Sequence, residues 1–401
     1  MLRGLFGWVP IVLGVLLGVG ITLAVVRATP TTSGDPPGAL GGPPLAEATG
    51  KLARVLIHFP PQLEPILTDP YTDLLGSLPP QTRLVVIVPD EARAETELHR
   101  FLDSIAPSLW ARTQVVTVPS PITPWSKDRA LVLGPADDGT PPTLLVPPPP
   151  PSNWPGRVHD WEAVEAFVRS TSGAYVRHEI PLAFDAGDFA VTPDRVIVDV
   201  NLFAKNRDRH LGSPRELAQV LTPLLGRPVL VLGAREGDVP RHHLSMYMTP
   251  LGSRDGREVV LVGDPSLAES VVGHDFVPGE RDPDTGEPLR ADFSLTMQRR
   301  HDRAARQLAA AGFRVVRIPT VPLLDKTYMT YTNGVYSSAD DHRIAWVPTY
   351  GIPSLDSRAQ RIYEELGWQV HPVRVRSVYA MHGTIGCLVN VLDRSPAPNA
   401  R

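Results

Sequence analysis

Beyond residue 50, short apolar runs alternate with segments of helical periodicity. Many of the runs end at proline or glycine, which is typical of strands that stop abruptly. The pattern predicts strands over 54–60, 82–89, 113–119, 129–135, 228–233, 257–265, 314–322 and 369–376, and strand pairs over 188–203 and 334–351. It predicts helices over 90–105, 213–226, 296–313 and 357–368, the first with Asp90 as its N-cap.

The order of these elements indicates the class of fold. Strand–strand–helix–strand units of comparable size recur without a clean sequence repeat. This favours a single α/β domain of similar modules and excludes a simple solenoid. The stretch TLLVPPPPPSNWP, residues 143–155, contains a proline run that is interpreted as an exposed loop or edge rather than as a binding ligand.

The N-terminal segment has a different character. Residues 5–26 carry no charge and lie between Arg3 and Arg27, and a run of that length spans a bilayer core as a helix. It is longer than the apolar region of a signal peptide, and no good cleavage site follows it. We therefore expect a single-pass membrane anchor over 1–27, with the following domain on the non-cytoplasmic side. Residues 28–50 predict a Pro/Gly-rich linker, 51–395 the folded domain and 396–401 a tail.

Composition narrows the possible functions. The chain has 401 residues, of which 42% are hydrophobic and 20% charged, as in an ordinary globular protein. Its net charge is −4 and it lacks a dense Lys/Arg stripe with interleaved aromatics, so no nucleic-acid partner is expected. Cys387 is the only cysteine, so an internal disulfide is excluded and the thiol is either buried or reactive. The histidines show no metal-ligand spacing, and no metal or cofactor is expected.

Four short stretches place reactive side chains in loops or at strand ends: WSKDRA (125–130), FDAGDF (184–189), RHHLSMY (241–247) and HGTIGC (382–387). Together they supply a thiol, histidines and carboxylates, which is the set that nucleophilic catalysis by cysteine requires. Each has a structural alternative when taken singly. A lone cysteine beside an apolar run is more often a core residue, and Asp185 and Asp188 could cap a turn around Gly187.

Taken in order, the four stretches resemble the motifs of the agmatine deiminase and Porphyromonas-type peptidylarginine deiminase family, within the guanidine-modifying superfamily. The resemblance covers about residues 55–392. The matching positions are Trp125 and Asp128 in a W-x-R-D-x-G-like motif, Asp185 in an F-E-G-G-N-like motif, His243 in an H-x-D-M-F-like motif and Cys387 in a G-G-x-x-H-C-like motif. The resemblance implies a five-bladed α/β propeller (the pentein fold) with the active site on its central axis.

The resemblance also implies a role for each residue. Cys387 would attack the central guanidinium carbon, and His243 would protonate the departing amine and then activate water. Asp128 would hold the guanidinium, since carboxylates bind its N–H groups in fork geometry. Asp185 would orient His243 or the substrate. Trp125, Asp188 and Ser245 complete the expected substrate-binding set.

The sequence departs from the family motifs at several positions. The second guanidinium-binding aspartate of H-x-D is Ser245, and a neutral hydroxyl does not replace a carboxylate opposite a buried cation. Further departures are Lys127, Ala130, Ala186 and Gly386. Either Asp188 or another carboxylate substitutes, or the substrate differs, or the protein binds without turnover.

Two functions from different classes follow. One is a membrane-anchored hydrolase that releases ammonia from agmatine or peptidyl-arginine through a covalent thiouronium on the cysteine. The other is a non-catalytic envelope binding protein that retains the propeller. A cysteine protease is a weaker alternative, because IGCLVN (385–390) lacks the local patterns of those enzymes. The expected partners are a small molecule or peptide bearing a guanidinium, and the membrane.

Overall fold

The computed structural model describes residues 40–91, 93–149, 157–209, 213–323, 327–339 and 342–395. The anchor predicted over 1–27, the first part of the linker and the tail 396–401 lie outside the described residues. Within the described ranges, no helix combines the length and the apolar character needed to cross a membrane.

Strands and helices alternate along the whole described chain. The strands are β1 (Lys51–His58), β2 (Arg83–Pro89), β3 (Thr113–Val118), β4 (Leu131–Leu133), β5 (Thr143–Val146), β6 (Val176–Glu179), β7 (Ala190–Val191), β8 (Val196–Asp199), β9 (Val229–Leu232), β10 (Met248–Arg254), β11 (Arg257–Asp264), β12 (Arg314–Leu323), β13 (Thr327–Thr330), β14 (Val335–Ala339), β15 (His342–Thr349), β16 (Gln369–Arg374) and β17 (Asn390–Ser395). The helices are α1 (Glu64–Ser77), α2 (Ala94–Ile105), α3 (Asp160–Ser170), α4 (Asn201–Lys205), α5 (Pro214–Leu225), α6 (Pro265–Val272), α7 (Leu295–Ala310), α8 (Pro353–Glu365) and α9 (Ile385–Leu388).

The described strands form five separate sheets, in the orders β17-β1-β2-β3, β4-β5-β6, β7-β8-β9, β10-β11-β12-β13 and β14-β15-β16. Each sheet contains one motif: an antiparallel pair, one or two helices, and a third strand parallel to the second. In the first sheet the antiparallel partner of β1 is β17, so the beginning and the end of the folded region share a sheet. The predicted α/β class and its recurring strand–strand–helix–strand modules are confirmed.

The core forms where the helices cover these sheets. The parallel strands β2 and β11 are buried over nearly their whole length, as expected for strands with both faces covered. Helix α5 buries only Leu217, Leu221 and Leu225, which lie on one face at helical spacing. Each such fully buried leucine stabilises the fold by about 1.5–3 kcal/mol relative to an exposed one.

Both ends of α5 are capped by residues of the expected types, whereas α2 does not begin at its predicted cap. Ser213 accepts the backbone N–H of Glu216 at the start of α5, and Gly226 ends it in the left-handed region at φ 61°. Helix α2, however, begins at Ala94, four residues after the Asp90 predicted as its cap. The backbone N–H of Asp90 instead donates to the carbonyl of Val118, which extends the pairing of β2 with β3.

The four residues before the proline run, for which no strand was predicted, form one in the structure. Thr143–Val146 form β5, which is fully buried and lies between β4 and β6 in its sheet. The apolar run TLLV pairs on both sides, and the prolines that follow end the strand because they have no N–H to donate.

Candidate active site

A cavity of about 280 Å³ collects most of the residues singled out from the sequence. Six of the seven predicted site residues line it: Trp125, Asp128, Asp185, Asp188, His243 and Cys387. Ser245 is not among its lining residues. The lining also includes side chains that the sequence motifs did not indicate, among them Arg157, Lys205, His242 and His382.

The site residues share a place in the fold, just before the antiparallel strand that opens each sheet motif. Asp128 precedes β4, Asp185 and Asp188 precede β7, His243 precedes β10, and Cys387 lies in α9 immediately before β17. Backbone hydrogen bonds tie these segments together. The Ala186 N–H donates to the Asp128 carbonyl (2.9 Å) and the Lys127 N–H to the Cys387 carbonyl (3.2 Å).

His243 lies between two carboxylates and is almost fully buried. Its Nε2 is 3.5 Å from Asp185 Oδ2, and its Nδ1 is 3.8 Å from Asp128 Oδ1. Burial alone would lower the pKa of His243, but Asp128 and hydrogen bonds with Asp185 and Cys387 outweigh it and raise that pKa well above 6.5. This environment favours the protonated imidazole, which lies within reach of the thiol.

Two glycines make this close packing possible. A Cβ at Gly187 would lie 2.5 Å from His243 Nδ1, and a Cβ at Gly383 would lie 2.5 Å from the ring of Trp125. Real Cβ atoms do not approach other atoms so closely. Gly187 thus sets the position of the imidazole, and Gly383 lets the indole pack against the segment that carries Cys387.

Two cationic side chains of the protein, Arg157 and Lys205, form ion pairs with the aspartates that were predicted as site residues. Arg157 Nη2 donates to Asp128 Oδ2 at 2.7 Å and lies 3.7 Å from Asp185 Oδ1, while its Nε lies 3.4 Å from Asp160 Oδ2. Lys205 Nζ donates to Asp185 Oδ2 at 2.8 Å and to Asp188 Oδ2 at 2.6 Å. Asp188 thus has a structural role, because its Oδ2 binds Lys205 and accepts the backbone N–H of Asp185.

The carboxylates still outnumber these cations. Asp128, Asp160, Asp185 and Asp188 carry four negative charges against the two permanent positive charges of Arg157 and Lys205. Burial would raise the pKa of Asp185, but Lys205 and His243 hold it well below 3.8. Burial raises the pKa of Asp128 although Arg157 and His243 oppose the rise, so this carboxylate would be stabilised in its charged form by a further cation.

One carboxylate oxygen of the site has no hydrogen bond. Asp128 is 2% exposed, and among the described residues its Oδ1 has no hydrogen-bond partner, although His243 Nδ1 lies 3.8 Å away. A buried oxygen in that state is costly unless a donor reaches it. Asp128 Oδ1 thus retains the capacity to accept an N–H from His243 or from a ligand.

Ser245 lies on another side of Cys387 from the cavity. Its Oγ accepts the side-chain N–H of Asn333 (2.8 Å), and its backbone carbonyl accepts the hydroxyl of Thr332 (2.8 Å). The same Asn333 nitrogen is 3.3 Å from Cys387 Sγ. The position where the family motif has its second aspartate therefore faces Asn333, and the substrate-binding role of Ser245 stays a prediction.

Metal binding is disfavoured by the same ion pairs. Asp128, Asp185 and His243 each offer a ligand atom, and these atoms lie within 4.8 Å of one another. Arg157 already binds Asp128 and Lys205 already binds Asp185, however, so a metal ion would have to displace these cations from the carboxylates. Asp282, Asp284 and His382 form a second such group, which reaches the cavity only through His382.

Three residues of the site were not predicted from the sequence, each for a different reason: Arg157, Lys205 and Asn333. Arg157 follows the proline run that was interpreted only as a loop, and Lys205 lies in the short helix α4, just after a predicted strand. Asn333 stands before a glycine, which by itself predicts only a turn. Its place just before β14 was the available signal, since the other site residues precede β4, β7, β10 and β17.

Comparisons with known proteins bear on the fold. No family model matches the chain, and no curated protein matches it. Solved structures do match, and those described next are deiminases of guanidino compounds by name.

An agmatine deiminase from C. jejuni is similar with a TM-score of 0.60 and 14% identity, over 87% of this chain and 95% of that one. The agmatine deiminase of Enterococcus faecalis is similar with a TM-score of 0.57 and 13% identity, over 90% and 99% of the two chains. A protein provisionally assigned as a peptidyl-arginine deiminase gives a TM-score of 0.61 at 14% identity, over 88% and 99%. The chain therefore has the pentein-like α/β fold of these deiminases, and the predicted resemblance is confirmed for the fold.

Proposed function

We propose that the protein is a cysteine-dependent hydrolase of guanidino groups that releases ammonia. The observation that carries this proposal is the meeting of Cys387, His243, Asp185 and Asp128 on one cavity, although they come from four distant parts of the chain. A thiol, an imidazole and a carboxylate that orients the imidazole are the elements of nucleophilic catalysis. The agmatine deiminase fold supports the same class of reaction.

The charge of the site favours a cationic substrate. Four aspartates meet only two permanent cations, Arg157 and Lys205, and a guanidinium beside Asp128 would stabilise the charged form of that carboxylate, whose pKa is raised by burial. One of its N–H groups would donate to Asp128 Oδ1, which has no hydrogen-bond partner among the described residues. Arg157 already shows that this carboxylate binds a guanidinium, since its Nη2 donates to the other oxygen of Asp128 at 2.7 Å.

The reaction would proceed in two steps. The Cys387 thiolate attacks the guanidinium carbon, the bond to one terminal nitrogen breaks, and that nitrogen leaves as ammonia with a proton from His243. A thiouronium on Cys387 remains. His243, now neutral, takes a proton from water, the hydroxide attacks the same carbon, and the C–S bond breaks to give a ureido product and the free thiol.

The test is ammonia release by the full-length protein from agmatine, free arginine and an arginyl peptide. We expect release from at least one of them, with the Cys387→Ser and His243→Gln variants inactive and the surface variant Arg215→Met, on α5, unaffected. If none of the three substrates releases ammonia, or if Cys387→Ser is as active as the unmodified protein, the proposal fails.

A second candidate function is binding without turnover, and the ion pairs favour it. Asp185 and Asp188 are both engaged by Lys205, and Ser245 contributes no charge, so the carboxylate clamp for a guanidinium is smaller than the motif implies. A binding protein of this kind would take up an arginine-like ligand in the calorimeter and release no ammonia.

The arrangement of the sheets and the attachment to a membrane belong to the same proposal. We infer that the five sheet motifs are the blades of a propeller, supported by the pairing of β1 with β17 and by the repeated place of the site residues before an opening strand. The apolar run 5–26 supports attachment to a membrane. Protease protection of the domain in sealed vesicles, lost on adding detergent, would test that arrangement.

A further inference from the structure

A second cavity, apart from the candidate active site, is lined by three arginines. It measures about 300 Å³, which is at the lower end of the range for small-molecule sites, and it shares no lining residue with the cavity around Cys387. The arginines are Arg54, Arg83 and Arg112, and no carboxylate is among the described residues that line this cavity. The cavity is therefore positively charged.

The register of three neighbouring strands brings these arginines together. The parallel pairing of β1 with β2 places Arg54 opposite Arg83, and the pairing of β2 with β3 places Leu84 opposite Thr113. One position before that last pair, Arg83 lies beside Arg112, the residue just before β3. Because neighbouring strands lie about 4.8 Å apart, the three arginines form a short row across the edge of the sheet.

The arginines of β1 and β2 are on the same face of this sheet. Leu56 and Val85, two positions after Arg54 and Arg83, belong to one apolar cluster that also includes side chains of α3. Since side chains two positions apart on a strand point to the same face, the two guanidinium groups lie beside each other. Like charges placed directly opposite each other on neighbouring strands destabilise a sheet unless something offsets them.

No carboxylate among the described residues offsets this charge. None of the three arginines forms an ion pair there, whereas Arg177 pairs with both Glu165 and Glu179. Asp393 lies opposite Arg54 in the register of β17 with β1, yet the Arg54 guanidinium lies over the ring of Tyr175, 5.7 Å from its centre.

Arg112 is held in place by one of its nitrogens. Its Nη1 donates to the carbonyls of Pro79 and Thr82, each at 2.7 Å, while its Nε and Nη2 make no hydrogen bond to a described residue. Burial lowers the pKa of Arg112, in keeping with a guanidinium that no carboxylate of the described chain stabilises. One fixed guanidinium thus presents free N–H groups beside two others.

We propose that Arg54, Arg83 and Arg112 form a binding site for a phosphate monoester. Such a group carries a charge of about −1.5 to −2 at neutral pH and three acceptor oxygens, which match several forked guanidinium donors. A carboxylate would bring one charge and two oxygens to three cations. The site is independent of the proposed function, because it shares no residue with it. Both soluble phosphate compounds and phospholipid headgroups carry this group, and the test separates them.

The test is isothermal titration of the full-length protein with inorganic phosphate in a phosphate-free buffer of low ionic strength. The variant is Arg83→Gln, because Arg83 is exposed and its side chain makes no hydrogen bond to a described residue. The matched control is Arg215→Gln, which removes an exposed arginine of α5, also without an ion pair among the described residues.

Arg83→Gln should bind phosphate about tenfold more weakly or worse, the effect of losing one hydrogen bond to a charged group, and Arg215→Gln should bind as the unmodified protein does. Saturating phosphate should raise the urea midpoint of the unmodified protein and leave that of Arg83→Gln unchanged. Without phosphate, Arg83→Gln should unfold at the same or a higher urea concentration, because a repelling charge has been removed.

A short-chain phosphatidic acid, dissolved as monomers, is titrated in parallel to identify the source of the group. Tighter binding than that of inorganic phosphate, lost in Arg83→Gln, assigns the site to a lipid headgroup, and binding that is no tighter assigns it to a soluble phosphate compound.

Absence of binding by both probes overturns the inference, and so does an equal loss in Arg215→Gln, because binding would then be nonspecific. A lower urea midpoint of Arg83→Gln in the phosphate-free buffer overturns it as well, since Arg83 would then stabilise the fold by itself. Ammonia release is not measured in these titrations, so a protein that binds phosphate and releases no ammonia refutes only the proposed function.

Discussion

Replacing Arg157 by methionine should destabilise the protein far more than the same change at a surface arginine that pairs with aspartates. Arg157 is paired with Asp128, Asp160 and, at 3.7 Å, with Asp185, which also binds Lys205; the Arg157 side chain is 11% exposed. Removing it leaves two buried carboxylates without their cation, which costs about 3–5 kcal/mol of unfolding free energy. We expect the lower end of that range, because Asp160 keeps its hydrogen bonds from the Thr123 backbone and hydroxyl (2.8 and 2.6 Å).

Arg374 provides the matched control. It is also paired with two aspartates, Asp69 and Asp73, but its side chain is 56% exposed. Solvent screens such a pair, so Arg374→Met should cost at most about 1 kcal/mol.

Equilibrium unfolding in urea, followed by tryptophan fluorescence, measures both variants. With an m-value of about 3 kcal/mol/M, a loss of 3 kcal/mol lowers the midpoint by about 1 M. The double variant Arg157→Met, Asp160→Asn should recover part of the loss, since one of the two uncompensated charges is removed. Equal midpoints for Arg157→Met and Arg374→Met would refute the idea that a buried ion cluster holds the site together.

Three further predictions concern the imidazole and its neighbours. In Gly187→Ala the new Cβ would lie 2.5 Å from His243 Nδ1 and would force the imidazole aside, so the rate of ammonia release should fall about 100-fold. In the control Gly134→Ala the new Cβ meets only ordinary contacts, and the rate should not change. Because the pKa of His243 is raised, the folded protein keeps a proton above pH 6.5 that the unfolded chain has lost. The unfolding free energy should therefore fall as the pH rises from 6.5 to the folded-state pKa. Urea unfolding of His243→Gln, repeated at several pH values, should lack this dependence on pH. The depressed pKa of Asp185 acts oppositely: its stabilisation is present above pH 3.8 and lost as the pH falls below it, and acid titrations of Asp185→Asn should show a smaller loss.

Local signals in the sequence were sufficient for much of the fold and for most of the site. Helix α5 has its cap, its apolar spacing and its terminal glycine within fourteen consecutive residues, 213–226, and the structure follows them. The motifs around Asp128, Asp185, His243 and Cys387 are equally local, and their side chains line one cavity.

The features that were missed depend on contacts between distant residues. The pairing of β1 with β17 joins segments more than 300 positions apart, and no periodicity records it. Arg157 meets Asp128 across 29 positions, and Lys205 meets Asp185 and Asp188 across 17–20 positions, with no helical spacing to indicate these pairs. Strand β5 was not predicted because the proline run that follows it indicated only a loop. It is the buried central strand of its sheet, between β4 and β6.

Trapping of the covalent intermediate tests the central claim most directly. The full-length protein is mixed with the substrate that releases ammonia, quenched in acid within the first turnovers and digested, and the peptide that contains Cys387 is weighed. The account predicts an added mass equal to the substrate less one ammonia on Cys387, absent from Cys387→Ser and accumulating in His243→Gln if attack still occurs there. Ammonia release with an unmodified Cys387 peptide at every quench time, or with the added mass on another residue, would contradict it.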